Sequence, residues 1–315
     1  MKKDITNAVK YSERFEKDFQ KFLTPDNSFY LNTKGITSTD LTVNIPQYYS
    51  TVTGPADMTS TSALSIVDWT QDNKVVTQKI FKSNAMRVND FEDTFTSNDQ
   101  RADVMDAMKG WVDTKIGNFA AYKIAPATAT IFTSGTATRA SSLIGSTNTV
   151  KVAVKADWIA VRTEIAKTNL NGGKWYGLID PSMLGDLFAI EDFVRADATG
   201  QALSQLMTGQ FADILGIRLF VRQGGYGANV AYTSGGTLQD VYGAVGTADV
   251  IGATMVGGSI FWNDAAVYAN KGMAKIYADI DNPVYQSDLY SMQYTFGMEK
   301  IRTDNVGCIA LVEKK

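Results

Sequence analysis

The sequence predicts an α+β fold with extended parts that reach beyond a compact body. Three observations carry this. Residues 97–124 hold a long helical stripe, Met105, Met108, Val112, Ile116 and Phe119. Residues 290–298 alternate strictly, with Tyr290, Met292, Tyr294, Phe296 and Met298 on one face and Ser291, Gln293 and Thr295 on the other. Two long polar or turn-rich stretches near the N-terminus carry too few apolar residues to build a core of their own.

From the N-terminus, residues 5–22 read as an amphipathic helix, because Ala8, Tyr11, Phe15, Phe19 and Phe22 recur at steps of three and four. Glu13 and Lys17 pair one turn apart, and Thr24-Pro25-Asp26 ends the helix. It packs either on its own domain or on a neighbouring molecule. Residues 23–62 are rich in Thr, Ser, Asn and Pro and read as extended or irregular chain, long for a loop within a compact domain. Residues 63–88 read as a β-hairpin arm. Leu64, Ile66, Val67 and Trp69 run out, Gln71-Asp72-Asn73-Lys74 turns, and Val75, Val76, Ile80 and Phe81 return. A lone two-stranded hairpin is marginal in water, so this one must lie on something else. Lys74, Lys79, Lys82 and Arg87 give it a basic cast.

The long helix opens with Ser97 and Gln100 in capping-box positions and stops before Pro126, spanning about 40 Å. A second helix covers 155–169, with Trp158, Val161 and Ile165 inward, and Asn171-Gly172-Gly173 ends it. The strand Trp175–Ile179 follows; then Asp180 caps a helix whose first residue is Pro181. Another strand is expected at 216–222. The stretch containing Gly224, Gly225, Gly227, Gly235 and Gly236 reads as a surface loop. Residues 273–280 alternate like a strand, and Val306–Val312 is an almost continuous apolar strand, expected to be buried on both faces.

Composition excludes several function classes. Of 315 residues, 44% are hydrophobic and 20% charged, a charge fraction below that of most globular chains. The 30 basic and 33 acidic residues leave a net charge of −3, so the chain as a whole lacks the basic footprint that phosphate gripping needs. There is no histidine, which removes the usual general base and the commonest metal ligand. The one cysteine, Cys308, cannot form an internal disulfide and lies in an apolar strand, where an inert thiol is expected. No apolar run is long enough for a transmembrane helix, and the basic N-terminus has no apolar stretch after it, so the chain is expected to stay in a reducing cytoplasm.

The remaining candidates read as structural. Asp279, Asp281 and Asn282 carry oxygen ligands at close spacing but lack the glycine and distal glutamate of a calcium loop. The glycine-rich stretch contains neither phosphate-binding pattern. Glu92-Asp93 and Glu191-Asp192 are adjacent carboxylates, which point in different directions on a helix or strand. No catalytic residue, metal ligand or cofactor is expected.

Three stretches carry a family resemblance. Thr96-Ser97-Asn98-Asp99-Gln100-Arg101-Ala102-Asp103-Val104-Met105, leading through Trp111 to Lys115-Ile116-Gly117-Asn118, looks like a spine helix. Trp175-Tyr176-Gly177-Leu178-Ile179-Asp180-Pro181-Ser182-Met183-Leu184, continuing to Thr208-Gly209 and Ile214-Leu215-Gly216-Ile217, is similar to a strand and proline-capped helix of the same family. Tyr294-Thr295-Phe296-Gly297-Met298 with Val306 resembles its closing strands. Together and in this order they resemble the major capsid proteins of tailed phages with the Hong Kong 97-type fold. The resemblance implies an N-terminal arm at 1–62, an extended hairpin loop at 63–96, a peripheral domain with the spine helix at 97–150, an axial domain at 151–270 and the peripheral domain's closing strands at 271–315. It implies hexamers and pentamers closing into an icosahedral shell around DNA that is not tightly bound. The shell would be assembled in the host cytoplasm with a separate scaffolding protein, a portal and decoration proteins, and with no membrane. Residues expected at contacts between copies are Trp69, Lys74, Lys79 and Phe81 on the hairpin, and Phe15 and Phe19 on the first helix. An encapsulin-like compartment shell, which shares the fold, and an α+β enzyme are the alternatives.

Overall fold

The computed structural model describes residues 29–49, 70–88, 100–128, 130–168, 173–190, 214–222, 224, 226–282, 284, 287–302 and 306–315. The expected helix at 5–22, the strand through Leu64 and Trp69, Ser97 of the capping box, Asn171-Gly172 and both adjacent-carboxylate pairs lie outside them.

Two sheets and a long helix share one core. The first sheet runs β1 (Lys34–Thr37), β14 (Val267–Asn282), β15 (Ser287–Lys300) and β4 (Lys79–Lys82), with β5 (Met86–Val88) also paired to β15. Its axis is the long antiparallel ladder of β14 and β15, interrupted by register shifts at Lys271/Ala274 and Asp279/Asn282. The alternation read from the sequence holds: Tyr290, Met292, Tyr294, Phe296 and Met298 are all buried. They face α1 (Gln100–Ile124), whose Met108, Val112, Ile116 and Phe119 are buried in the same cluster, with Met105 packed against it. Phe119 meets Phe81 edge-on at 5.6 Å and Phe296 at 6.2 Å, so helix, β4 and β15 are joined through aromatic contacts.

The second sheet has seven strands in the order β10 (Ile217–Val221), β9 (Trp175–Ile179), β13 (Met255–Asn263), β11 (Val230–Thr233) and β12 (Leu238–Gln239). β16 (Cys308–Val312) also pairs with β13, and β6 (Ile131–Phe132) with β16. Both faces are covered, which is why every residue of β13 and β16 is buried and β16 reads as an unbroken apolar run. Cys308, Ala310 and Val312 point into the core shared with α1. Ile309 and Leu311 point the other way, into a cluster with Trp158, Val161 and Ile165 of α2 (Lys155–Lys167) and Met183 and Leu187 of α3 (Pro181–Phe188). A 3-10 turn at Phe29–Leu31 stitches the sheets together. Phe29 lies 5.9 Å from Trp262 of β13, and Tyr30 lies 5.7 Å from Phe296 of β15.

A separate two-stranded ribbon pairs β2 (Thr42–Tyr49) with β3 (Thr70–Thr77) antiparallel, from Thr42 opposite Thr77 to Tyr49 opposite Thr70. Pro46 sits mid-way along β2, opposite Asn73. A second small pair joins β7 (Thr138–Ala140) and β8 (Thr149–Lys151).

Four local expectations need correction. Gln71–Lys74 is not a turn but the interior of β3. The turn-forming residues Asp72 and Asn73 are held extended by cross-strand pairing to Gln47 and Pro46, so pairing overrides local propensity. The apolar residues expected in one returning strand split at Gln78 between β3 and β4. The glycine-rich stretch is not wholly a surface loop: Val230, Ala231 and Tyr232 are buried in β11. Gly227 and Gly236, at φ +84° and +90°, only supply the turns around it. Asp180 does occupy the N-cap position of α3, but its side chain makes no capping bond.

Candidate intersubunit surface

The ribbon is the described part of the molecule that is least supported by its own chain. Val76 is buried at its root, whereas Val75 and Asn73 on β3 and Asn44 and Pro46 on β2 are exposed. Two strands without a third are marginal alone, so the distal ribbon needs a surface to lie on.

Its root is held by a polar clamp rather than by apolar packing. Gln78, the residue between β3 and β4, is buried together with Asn270 of β14. Gln78 Nε2 donates to Asn270 Oδ1 at 2.9 Å and to the Ser38 carbonyl at 3.0 Å. Asn270 Nδ2 donates to the Asp40 carbonyl at 3.2 Å, and the Gln78 backbone N–H donates to the Leu41 carbonyl at 2.8 Å. The chain entering the ribbon and the chain leaving it are therefore tied to the same point on β14. Gly297 of β15, paired with Asn270, makes this possible. A Cβ there would stand 2.6 Å from the Thr77 carbonyl oxygen.

The residues expected at contacts between copies are scattered by the fold. Phe15, Phe19 and Trp69 lie outside the described residues. Lys74 is half-buried in β3, opposite Ile45. Lys79 is engaged within its own chain, with Nζ donating to the Ala244 carbonyl at 2.6 Å. Phe81 belongs to the core against Phe119, because it alternates inward between exposed Ile80 and Lys82. Gln78, Asn270 and Gly297 were not singled out from the sequence. A glycine inside an otherwise regular alternating strand was the available signal, since it marks close approach of another backbone.

The ionisable groups of the body form an enclosed structural network. Arg139 of β7 donates from Nε to both Asp186 oxygens at 3.1 Å and from Nη1 to Glu313 Oε1 at 2.6 Å. Glu313, fully buried, also accepts from the backbone N–H groups of Ser142 and Gly257. Asp180 is buried too, accepting from the Asn229 N–H at 2.8 Å, Asn229 Nδ2 at 2.7 Å and Ser142 Oγ at 3.1 Å. Desolvation pushes the Asp180 carboxyl up to about 7, against the lowering effect of the Asn229 backbone bond and with a further push from Glu313. Burial pushes the Cys308 thiol up to about 12, far from a reactive thiolate. These groups are spent on joining β7, α3, β11 and the chain after β16. Among the described residues no group of three acidic or cysteine side chains is placed to hold a metal ion, and Asp279 lies along β14. No described helix is long and apolar enough to cross a membrane.

No protein-family model matches the chain, and no curated protein matches it. Solved structures do. The capsid of Helicobacter pylori bacteriophage KHP30 superposes with a TM-score of 0.64 at 11% identity, covering 90% of this chain and 88% of that chain. The capsid of cyanophage P-SCSP1u gives 0.60 at 15% identity, covering 89% and 86%. A native GTA particle capsid gives 0.54 at 9% identity, covering 93% and 92%. The chain has the phage capsid fold. Coverage of nine-tenths on both sides means that the two sheets, the long helix and the intervening elements correspond together, not as one shared motif. It is the fold that the Hong Kong 97-type resemblance implied, and it survives at identities where side chains have almost wholly changed.

Proposed function

We propose that this chain is the major capsid subunit of a tailed phage, assembling as hexamers and pentamers into a closed icosahedral shell around DNA. The observation that carries this reading is the ribbon of β2 and β3: a two-stranded extension clamped at its root, on a body with the capsid fold, whose distal half requires a neighbour. Closed symmetric assembly gives every copy that neighbour. On this reading residues 1–62 form the N-terminal arm, residues 63–96 belong to the extended loop, with its base reaching back to Thr42, and 151–270 form the axial domain. Trp69 and Lys74, with Phe15 and Phe19, are the contact residues proposed on neighbouring copies. The role is structural rather than enzymatic. A net charge of −3 fits a wall that encloses DNA without gripping it. A separate scaffolding protein, a portal and decoration proteins complete the particle, which forms in the host cytoplasm.

Electron microscopy and mass measurement of the expressed protein, with and without its scaffolding partner, test the proposal. Closed particles of uniform size are expected. A chain that stays monomeric under every such condition overturns it.

A further inference from the structure

Asp180 sits between two segments of chain and holds each by its side chain. Its Oδ1 accepts both bonds from Asn229, the backbone N–H at 2.8 Å and Nδ2 at 2.7 Å, and its Oδ2 meets Ser142 Oγ at 3.1 Å. Outward of that bridge the same two segments meet again, with the Ile144 N–H donating to the Tyr226 carbonyl at 2.7 Å. Gly227 lets them lie this close, since a Cβ there would stand 2.4 Å from the Ser142 carbonyl oxygen. Ile144 and Tyr226 are exposed and form an apolar tip, whereas Asp180 beneath them is fully buried and forms no ion pair among the described residues. Arg139, in the adjoining network, is spent on Asp186 and Glu313. The groups that face Asp180 are Ser142, Asn229, Glu313 after β16 and Ser259 of β13, whose Oγ accepts the Asp180 N–H at 3.4 Å. At longer range are Tyr242 after β12 and Arg222 after β10. Arg222 favours an ionised Asp180, but its own bonds go to Asn118 and the Thr114 carbonyl.

This bonding pattern is that of a protonated carboxyl. A carboxylate buried without a cation is costly, and the second acid, Glu313, bonded to the Ser142 N–H, adds repulsion. With a proton on Oδ2, Oδ1 is the carbonyl oxygen that takes two N–H bonds, and the Oδ2 hydroxyl donates to Ser142 Oγ, which can accept. We propose that this proton is the catch of a conformational switch: while Asp180 Oδ2 carries it the Ser142–Ile144 and Tyr226–Asn229 segments are held together, and its loss to solvent releases them. The ionised side chain has another place to go. Asp180 is the N-cap of α3, with extended backbone at φ −78° and ψ 150°, and makes no capping bond. A carboxylate that leaves Asn229 and Ser142 can turn to the N–H groups of the first helical turn, where negative charge is favoured. Desolvation holds the closed carboxyl up at about 7, whereas the open one ionises at or below the ordinary 3.8. Between these values every opening releases one proton, so the open fraction rises about tenfold per pH unit and is constant above about 7. The firmness of an exposed apolar tip is thereby tied to pH.

The test is hydrogen exchange on the full-length chain between about pH 5 and about pH 8, with each rate corrected for the intrinsic pH dependence of exchange. The Ile144 and Asn229 amides report the tip, and the Ile260 and Phe261 amides of β13 report global opening. Ile144 and Asn229 are expected to be the less protected pair throughout. They should lose protection about tenfold per unit up to about pH 7 and then level off. Asp180→Asn is the locked form, because its Oδ1 still accepts from Asn229 and its Nδ2 donates to Ser142 Oγ as the carboxyl proton does. Its tip amides are expected to keep one protection at every pH. Infrared spectroscopy reads the proton itself: the difference between the unsubstituted chain and Asp180→Asn should show a protonated-carboxyl band that disappears as pH rises through about 7. Should the variant not fold, the unsubstituted chain decides alone, by the pH profile of its tip and by whether a carboxyl band remains at about pH 6. Tip amides that match those of β13 at every pH would mean that Asp180 titrates only with global unfolding, and they overturn the proposal. So does tip protection that ignores pH, an equal pH slope in Asp180→Asn, or the absence of the carboxyl band at about pH 6.

Discussion

Gln78 and Asn270 lie 192 residues apart in sequence and share a buried hydrogen bond of 2.9 Å, amide to amide, at the base of the ribbon. Each amide also serves the chain on the ribbon's other side, Gln78 through the Ser38 carbonyl and Asn270 through the Asp40 carbonyl. Three segments of chain, residues 38–40, Gln78 and β14, are thus fixed by two side chains.

Replacing either amide leaves the other buried without its partner, at a cost of about 1–3 kcal/mol. Asn270→Leu and Gln78→Leu should each lower the melting temperature by several degrees. The double variant should lose less than the sum of the two, because no orphaned amide remains. Thermal melts of the four proteins check this. Gly297→Ala should be as damaging as either, since its methyl group meets the Thr77 carbonyl.

The ribbon separates folding from assembly. Ile45 and Lys74 are cross-strand partners, so a two-residue Asn-Gly turn can join them and delete residues 46–73 while keeping the clamp, Val76 and Phe81. The shortened chain should stay soluble with near-native circular dichroism and fail to form particles. Outright unfolding, or normal assembly, would remove the ribbon from the list of intersubunit arms.

Phe81 behaves as core, and Phe81→Ala should cost about 3–5 kcal/mol by opening a cavity against Phe119. Chemical denaturation of the subunit reads this as a lowered midpoint at unchanged slope.

Val112 is fully buried mid-way along α1. Val112→Pro removes one helix hydrogen bond and clashes with the preceding turn, costing about 3 kcal/mol or more, and the product should be found in the insoluble fraction.

Asp180 predicts a pH dependence of defined sign. Its folded-state value is raised from 3.8 to about 7 by burial, so folding favours the protonated carboxyl. The stabilisation is complete below the unfolded value and is lost as pH rises through about 7. Melting temperature should therefore fall from about pH 4 to about 7 and level off above it, and in the upper part of that window ordinary carboxylates are already ionised. Asp180→Asn, which keeps an acceptor for Asn229, should flatten that fall. An unchanged slope in the variant would mean that another group titrates there.

Elements whose burial pattern is internal to the sequence were legible. The stripe on α1, the alternation of β15 and the unbroken run of β16 each follow from which faces are covered, and each reads directly in the residues. Elements defined by a distant partner were not. Asp72 and Asn73 look like a turn until Gln47 and Pro46 are known to lie beside them. Val230 to Tyr232 is too short, among too many glycines, to announce a buried strand. The clamp was hidden for the same reason: Gln78 and Asn270 are ordinary polar residues whose meaning comes only from the crossing of chains above Gly297. Phe81 was read with the hairpin because it follows Val75, Val76 and Ile80 in one apolar returning run, although strand alternation alone already turns it away from Ile80 and Lys82.

Pro46 sets a limit on what the ribbon can grow into. A proline is tolerated in a strand where its nitrogen faces the open edge, and there it leaves a gap in the row of donors that an added strand would need. Stacking of ribbons edge to edge into an endless cross-β fibre is thereby interrupted one position beyond Ile45. An endless stack would need both edges of every ribbon, so the break in β2 steers growth away from filaments and toward contacts whose geometry can close on itself.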